Sequence, residues 1–205
     1  MNNLVNLFKL IELTRSQVQY GYVLSGVRKH ELSNLAEHHY LVVFMAWQLA
    51  KHLNAKGANL DEKKVLEIAI IHDLGELFGG DISRPYAMAN PRARKLAKAY
   101  EFENIRFLRK YLTTLSKSLW DDAMEPKSDE GLIFKFADIL ECAHFLKYMG
   151  HYKPLDTKIL KDKLPKLVKK LKDKIAKQEM TEFLKVWLKE IQGQNATEML
   201  FDNNG

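Results

Sequence analysis

The sequence has one cysteine and five prolines among its 205 residues, and it has no long apolar run. A single cysteine excludes an internal disulfide framework and a cysteine-rich zinc site, and it is typical of a reducing compartment. No stretch approaches the roughly 20 apolar residues of a membrane-spanning helix, and residues 1–15 lack the plan of a signal peptide. We therefore predict a soluble, cytoplasmic protein that does not enter a membrane.

The sequence also lacks the alternation of apolar and polar residues that is typical of β-strands. Apolar residues recur at helical spacing instead, so the predicted fold class is all-α. Asn59 and Glu62 are spaced as a capping box, Gly79-Gly80 provides a helix end, and Asn90-Pro91 provides a helix start. The predicted helices cover about residues 3–15, 34–53, 59–79, 90–113, 128–150, 158–177 and 181–192.

The net charge of +6 comes from one segment. Residues 158–177 contain nine lysines and two aspartates, so the rest of the chain carries a net charge of −1. We interpret the segment as one amphipathic helix whose lysines face solvent. Contact with nucleic acid or another anionic surface is the alternative, although no aromatic residue interleaves with the lysines. The apolar residues that predict its buried stripe are Leu160, Leu164, Leu167, Val168, Leu171 and Ile175.

Polar, metal-ligating residue types interrupt three of the apolar helices. They are His38, the adjacent pair His72-Asp73, and Asp138. Burying such groups is costly unless a partner satisfies them, and a divalent metal ion suits both imidazole and carboxylate. Each signal is weak by itself, since a lone histidine is more often structural and Asp138 is equally consistent with a cap or an ion pair. Glu76 follows His72 by four residues, within reach of the same helix face.

The other candidate ligands are assigned no role. His39 points about 100° around the helix from His38, and His52 lies in a polar last turn. Cys142 follows Asp138 by four residues, and a small buried thiol is the favoured interpretation over a place in the site. The remaining histidines without a role are His30, His144 and His151.

Four segments in this order carry a family resemblance. They are GYVLSGV (21–27), AEHH (36–39), IIHDLGELFGGDISRP (70–85) and FKFADILECAHFLKY (134–148). The chain resembles the HD-domain metal-dependent phosphohydrolases, and within them the 5′-deoxynucleotidases of the bacterial YfbR type with their eukaryotic and archaeal relatives. The resemblance covers about residues 3–150, and the C-terminal third matches only in being helical. It implies one compact HD domain over residues 1–205, often dimeric in relatives, with a basic helical region at about 155–192.

The resemblance also implies residue roles. The metal ligands would be His38, His72, Asp73 and Asp138, and the acidic residues at the reaction centre would be Glu76 and Asp81. Residues Ile82, Ser83 and Arg84 would lie against the nucleotide.

One position departs from the family. Relatives carry an arginine that orients the phosphate where this chain has Gln19, with Tyr22 in the place of their aromatic residue. A glutamine has no charge and lacks the bidentate fork of arginine. Arg28, Arg15 or Arg84 would have to compensate, and Arg84 is the best placed beside the site.

The resulting hypothesis is a metal-dependent phosphohydrolase that acts on (deoxy)nucleoside 5′-monophosphates. One divalent ion is expected, with Mn, Co, Zn, Fe and Mg all left open. The alternatives are an HD phosphohydrolase for another phosphoester, a non-catalytic HD module that binds nucleotide or metal, and a nucleic-acid-binding protein that uses residues 158–177. The predicted partners are the small phosphomonoester substrate and, as an open alternative to a monomer, a second copy of the chain.

Overall fold

The computed structural model describes residues 1–113, 116–191, 193 and 198–200, and these residues are mainly helical. An isolated antiparallel β-bridge joins Val18 and Asn34, and the described residues contain no sheet. The all-α prediction is confirmed. The α-helices are α1 (Asn2–Ile11), α2 (Leu35–Ala55), α3 (Glu62–Ile71), α4 (Arg84–Ala89), α5 (Pro91–Leu108), α6 (Lys117–Met124), α7 (Asp129–Tyr148), α8 (Pro154–Lys170) and α9 (Lys174–Glu190).

Three helix starts lie where the sequence predicted them, because each has a strong N-cap. Asn34 accepts the backbone N–H of Glu37 and completes a capping box in front of α2. Asn90 accepts the N–H of Ala93 ahead of α5, and Ser128 caps α7. Side-chain caps of this kind satisfy the N–H groups that a helix start leaves unpaired.

The predicted bounds around His72 are wrong. Asp61, rather than Asn59, caps α3 by accepting the N–H of Lys64, because the N–H of Asn59 instead binds the carboxylate of Asp173 in a distant loop. Helix α3 then ends at Ile71, and a 3₁₀ turn over Leu74–Glu76 follows. The His72-Asp73 pair therefore lies where a helix gives way to a turn, which frees both side chains to point into one space.

Several other predicted bounds also need correction. Helix α1 ends at Ile11, and a 3₁₀ turn follows it as far as Arg15. Helix α5 ends at Leu108 rather than near residue 113, and α7 ends at Tyr148 rather than at residue 150. Helices α4 and α6 were not predicted, since segments of six and eight residues carry little periodicity of their own.

The basic segment forms parts of two helices rather than one. Asp129 on α7 accepts the N–H groups of Lys172 and Asp173 at 2.9 and 2.8 Å, and Asp173 caps α9. These side chains hold a break between α8 and α9 that no local signal in the sequence requires. The predicted last helix is the second part of α9, and its predicted final residue, Gln192, lies outside the described residues.

The largest apolar core packs α2, α3 and α7 together with α8 and α9. The stripe predicted for the basic segment is buried at Leu160, Leu164, Val168 and Leu171, whereas Ile175, beyond the break, is exposed. None of the helices in the described ranges combines the length and apolar character of a membrane span. Because α2, α3 and α7 are mutual neighbours in this core, polar side chains on their facing surfaces are brought to one place.

Candidate metal and catalytic site

The four side chains predicted as ligands meet between α2, the end of α3, and α7. His38 Nε2 lies 3.2 Å from His72 Nε2, 3.4 Å from Asp138 Oδ1 and 3.5 Å from Asp73 Oδ2. His72 Nε2 lies 3.1 Å from the same Asp73 oxygen and 4.0 Å from Asp138 Oδ1. Two nitrogens and two oxygens thus face one small space, as ligands of a single ion would.

Both imidazoles are oriented from outside this space. His38 Nδ1 lies 2.6 Å from Glu141 Oε2, and His72 Nδ1 lies 2.8 Å from the carbonyl oxygen of Ala69. Since a carboxylate and a carbonyl accept hydrogen bonds, each Nδ1 donates its proton outward, and each Nε2 is left to face the shared space. Two imidazole nitrogens with two carboxylates form a donor set that fits a divalent metal ion.

Glu141 was missed in the sequence, although a signal was present. It is 1% exposed and lies three residues after Asp138 on the same apolar helix. A buried acidic residue needs a partner, so the argument that identified Asp138 applies equally to Glu141. Lys135, three residues before Asp138, was also missed, and its Nζ lies 2.6 Å from Asp138 Oδ2.

The ligand carboxylates are ionised. Burial alone would raise the pKa of Asp73, but His72 and His38 hold it well below its ordinary value. Burial would likewise raise the pKa of Asp138, but Lys135 and His38 outweigh this effect and lower it. Burial would lower the pKa of His38, yet its hydrogen bonds with Asp138, Asp73 and Glu141 raise it well above its usual value. The surroundings of this imidazole favour positive charge, which a bound cation also supplies.

Three further carboxylates lie next to the ligands. Burial, together with Asp73 and Asp81, raises the pKa of Glu76 well above its ordinary value. Burial also raises the pKa of Asp81, against the hydrogen bond that the Gly21 N–H donates to Asp81 Oδ2 at 2.6 Å. Glu101 on α5 was not predicted, and burial with Asp73 raises its pKa to about 7. Glu101 therefore binds a proton near neutral pH, beside ligand carboxylates whose pKa values are lowered.

A cleft of about 600 Å³ adjoins these residues between α4, α7 and α8. Of the predicted substrate-binding residues, Gln19, Tyr22, Ile82 and Arg84 line it, as does Asp81. Ser83 is buried beside the cleft but is not among the residues that line it. The structure does not bring Arg28 to the cleft, since that residue lies exposed on the preceding loop. Arg15 is also exposed and pairs with Glu12.

His39 lies closer to the site than its position on α2 predicted. Its ring centroid is 4.7 Å from that of His72, and its Nε2 is buried without a hydrogen-bond partner among the described residues. One nitrogen of His39 also lies within 4.8 Å of ligand atoms of His72 and Asp73, which makes a second possible ligand set. Burial and His72 lower the pKa of His39 to about 3. The set with His38 is favoured because only His38 has the outer carboxylate that orients ligating imidazoles.

Cys142 lines the cleft rather than the ligand cluster. Burial raises the pKa of its thiol to about 12, and the thiol is not part of either ligand set.

Residues 16–191 match the model of a family described as 5′-deoxynucleotidase YfbR-like. The chain belongs to this family. The match includes α8 and α9, so the family likeness extends beyond residue 150, where the sequence motifs ended.

Relatives with assigned names agree with this result. The chain is 26% identical over 143 residues to the 5′-deoxynucleotidase HDDC2 of Dictyostelium discoideum, which is 69% of this chain and 74% of that protein. It is 29% identical over 171 residues to a 5′-deoxynucleotidase of Photorhabdus laumondii, covering 79% of this chain and 82% of the relative.

Solved structures share the fold. A conserved hypothetical protein from Pyrococcus furiosus superposes with a TM-score of 0.66 at 23% identity, over 93% of this chain and 99% of its own. The PH0347 protein of Pyrococcus horikoshii gives a TM-score of 0.64 at 23% identity, over 91% and 97% of the two chains. With the family match, these results confirm the predicted resemblance. They identify the chain as an HD-type phosphoric monoester hydrolase of a metal-dependent class.

Proposed function

We propose that this protein hydrolyses deoxynucleoside 5′-monophosphates to nucleoside and phosphate, using one divalent ion held by His38, His72, Asp73 and Asp138. The observation that carries the proposal is the convergence of the four ligand atoms, with both imidazole Nδ1 atoms already engaged on the outside. The names of the relatives support the reaction and the substrate class.

The donor set supports a narrower choice of ion. Two imidazoles and two carboxylates suit a borderline ion such as Mn²⁺, Co²⁺, Fe²⁺ or Zn²⁺ better than Mg²⁺, which prefers oxygen ligands and water. Held by His38, His72, Asp73 and Asp138, such an ion would supply Lewis-acid polarisation of a phosphate oxygen and a lowered pKa for water.

Glu76 and Asp81 have different proton roles in this proposal. A water oxygen forms a bond to phosphorus as the bond from phosphorus to O5′ breaks. Glu76, whose surroundings favour its protonated form, gives its proton to O5′. Asp81 accepts a proton from the attacking water, because burial raises its pKa and makes it a better base, although the hydrogen bond from the Gly21 N–H opposes that rise. A proton then passes from Asp81 to Glu76 through solvent, which restores both carboxyls for the next turnover.

The cleft accommodates the nucleoside. Its apolar wall includes Tyr22 and Ile82, against which a base and sugar pack. Gln19 contributes no charge there, so the phosphate depends on Arg84 for a cationic contact.

The test combines metal removal with a substrate panel. The protein is stripped with a chelator, reloaded with Mn²⁺, Co²⁺, Fe²⁺, Zn²⁺ or Mg²⁺, and assayed for phosphate release from 5′-deoxynucleotides, 5′-ribonucleotides and 3′-deoxynucleotides. Cleavage of a phosphodiester, which releases no inorganic phosphate, is followed by chromatography of the products. We expect release from 5′-deoxynucleotides only with an ion present. Asp73→Ala should lose bound metal and activity together, whereas His52→Ala, an exposed histidine of α2, should keep both.

Two results would contradict the proposal. Activity that survives Asp73→Ala unchanged would remove the metal site from the reaction. Tight nucleotide binding without release from any substrate would identify a non-catalytic binding module instead.

The partner predictions remain proposals. A homodimer is supported by apolar side chains exposed on α1 and α2, namely Phe8, Tyr40 and Phe44, and light scattering measures it directly. Nucleic-acid contact through the lysines of residues 158–177 stays the alternative, and steeply salt-dependent binding would support it. A cytoplasmic location likewise stays a prediction.

A further inference from the structure

We propose that Lys163, on α8, binds the substrate phosphate together with Arg84 and replaces the arginine that is missing at Gln19. This inference rests on the proposed function and deepens it, because it gives one residue of the basic segment a place in substrate binding.

Lys163 differs from the other lysines of its segment in position. It lines the cleft, and its Nζ lies 3.8 Å from Met88 Sδ on α4. Asp156, Ile159 and Leu160 line the same cleft one and two turns earlier, so one face of α8 forms a cleft wall. Seven of the nine lysines are exposed and Lys177 is half-buried outside the cleft lining, whereas Lys163 is half-buried within it.

No carboxylate of the described residues forms an ion pair with Lys163 or with Arg84. The carboxylates that line the cleft are already engaged, because Asp81 accepts the N–H of Gly21 and Asp156 accepts the N–H of Lys153. By contrast, Lys166, one turn further along α8, pairs with Asp162 at 2.6 Å. Among the described residues, the cleft therefore presents two cations that have no ion-pair partner.

The two cations also act on each other. Burial, and then the charge of Arg84, lower the pKa of Lys163 to about 8. Keeping two like charges at one partly buried wall is unfavourable unless an anion joins them. The phosphate of a nucleoside monophosphate carries up to two negative charges and is the charged part of the expected substrate.

Lys135 is another cation near Lys163, but it is differently engaged. Its Nζ is bound to Asp138 Oδ2, which makes it part of the ligand cluster. In the part of the chain that the structure describes, Arg84 and Lys163 are the cations that line the cleft. Arginine gives directional bonds to phosphate oxygens and lysine gives a compact point charge.

The experiment compares Lys163→Met with Lys161→Met, an exposed lysine of the same helix. Steady-state kinetics are measured on a 5′-deoxynucleotide, with inhibition by inorganic phosphate and, separately, by the nucleoside. Loss of one charge-assisted contact should raise KM and the phosphate inhibition constant about tenfold. We expect kcat within about threefold of wild type, unchanged nucleoside inhibition and unchanged metal content. Lys163→Arg should restore most phosphate affinity, and Lys161→Met should behave as wild type.

Unchanged KM and unchanged phosphate inhibition in Lys163→Met would overturn the proposal. Equal weakening of phosphate inhibition and nucleoside inhibition would also overturn it, because that result indicates a distorted cleft. Thermal unfolding checks the fold, and Lys163→Gln serves if the methionine variant is unstable. If the wild type hydrolyses no nucleotide, the proposed function fails, but the role of Lys163 can still be tested. Calorimetry then compares the affinity of the metal-loaded wild type and the metal-loaded Lys163→Met variant for inorganic phosphate. Equal phosphate affinity of wild type and variant there would overturn the role of Lys163 independently.

Discussion

The ligand cluster between α2, α3 and α7 adjoins the cleft, and the cationic wall formed by Arg84 and Lys163 lines it, but the two are held in different ways. His38 is 1% exposed, and its Nδ1 is held by Glu141. Arg84 is exposed and Lys163 half-buried, and neither has an ion-pair partner among the described residues. The cluster is fixed by the core, whereas the wall, in our proposal, is completed by the substrate phosphate. Damage to the cluster should therefore appear in metal binding and kcat, and damage to the wall in KM.

The largest effect is expected from a substitution of Glu76. This substitution tests whether the residues next to the ligand cluster control the chemical step. Glu76→Gln keeps the size and polarity of the side chain but removes the proton that O5′ receives. We expect kcat to fall about 10²- to 10³-fold while metal content stays at the wild-type level. Glu103→Gln, an exposed glutamate of α5, serves as the control. Equal losses of metal and activity would make Glu76 a ligand.

An intermediate effect is expected at Glu141, which tests whether the outer carboxylate holds the cluster together. In Glu141→Gln the contact to His38 Nδ1 loses its charge, so metal affinity should weaken about 10- to 100-fold. Saturating metal should restore most of the activity. Competition with a metal-binding dye measures the affinity.

His39→Gln is the matched control for the same comparison, because it changes the neighbouring histidine. It should retain metal affinity within about threefold, as an oriented His38 is the ligand in the favoured set. If His39→Gln weakens metal binding more than Glu141→Gln does, the ligand set that contains His39 is the correct one.

The smallest effect is expected in the pH dependence of kcat/KM that the cationic wall produces. The charged groups around Lys163 are Arg84 at the start of α4, Arg94 on α5, Lys135 on α7 and Asp162 on α8. Because its pKa is lowered to about 8, Lys163 loses its proton, and with it the phosphate contact, as pH rises through that value. Between pH 7 and 9, kcat/KM should fall about fivefold more in the wild type than in Lys163→Arg, which stays charged. Parallel profiles would show that this amine does not contact the substrate.

Much of the ligand cluster was predictable from local features. A histidine or aspartate inside an apolar helix needs a partner wherever the helix lies, so His38, His72 and Asp138 stand out without a structure. The caps at Asn34, Asn90 and Ser128 are local in the same way, because each hydrogen bond spans three residues. Glu141 could have been found by the same reasoning. Glu101 could not, since it lies on the amphipathic helix α5, where many charged residues face solvent.

The sequence by itself determined the all-α class, the order of the candidate ligands and the absence of charge at Gln19, because residue type and short-range spacing carry that information. The tertiary structure decided where α3 ends, where the basic segment breaks and which of its lysines faces the cleft. The break is held by Asp129, 43 and 44 residues away along the chain, and the contact between Lys163 and Met88 spans 75 residues. Contacts of that separation form only when the core packs, so no local pattern encodes them.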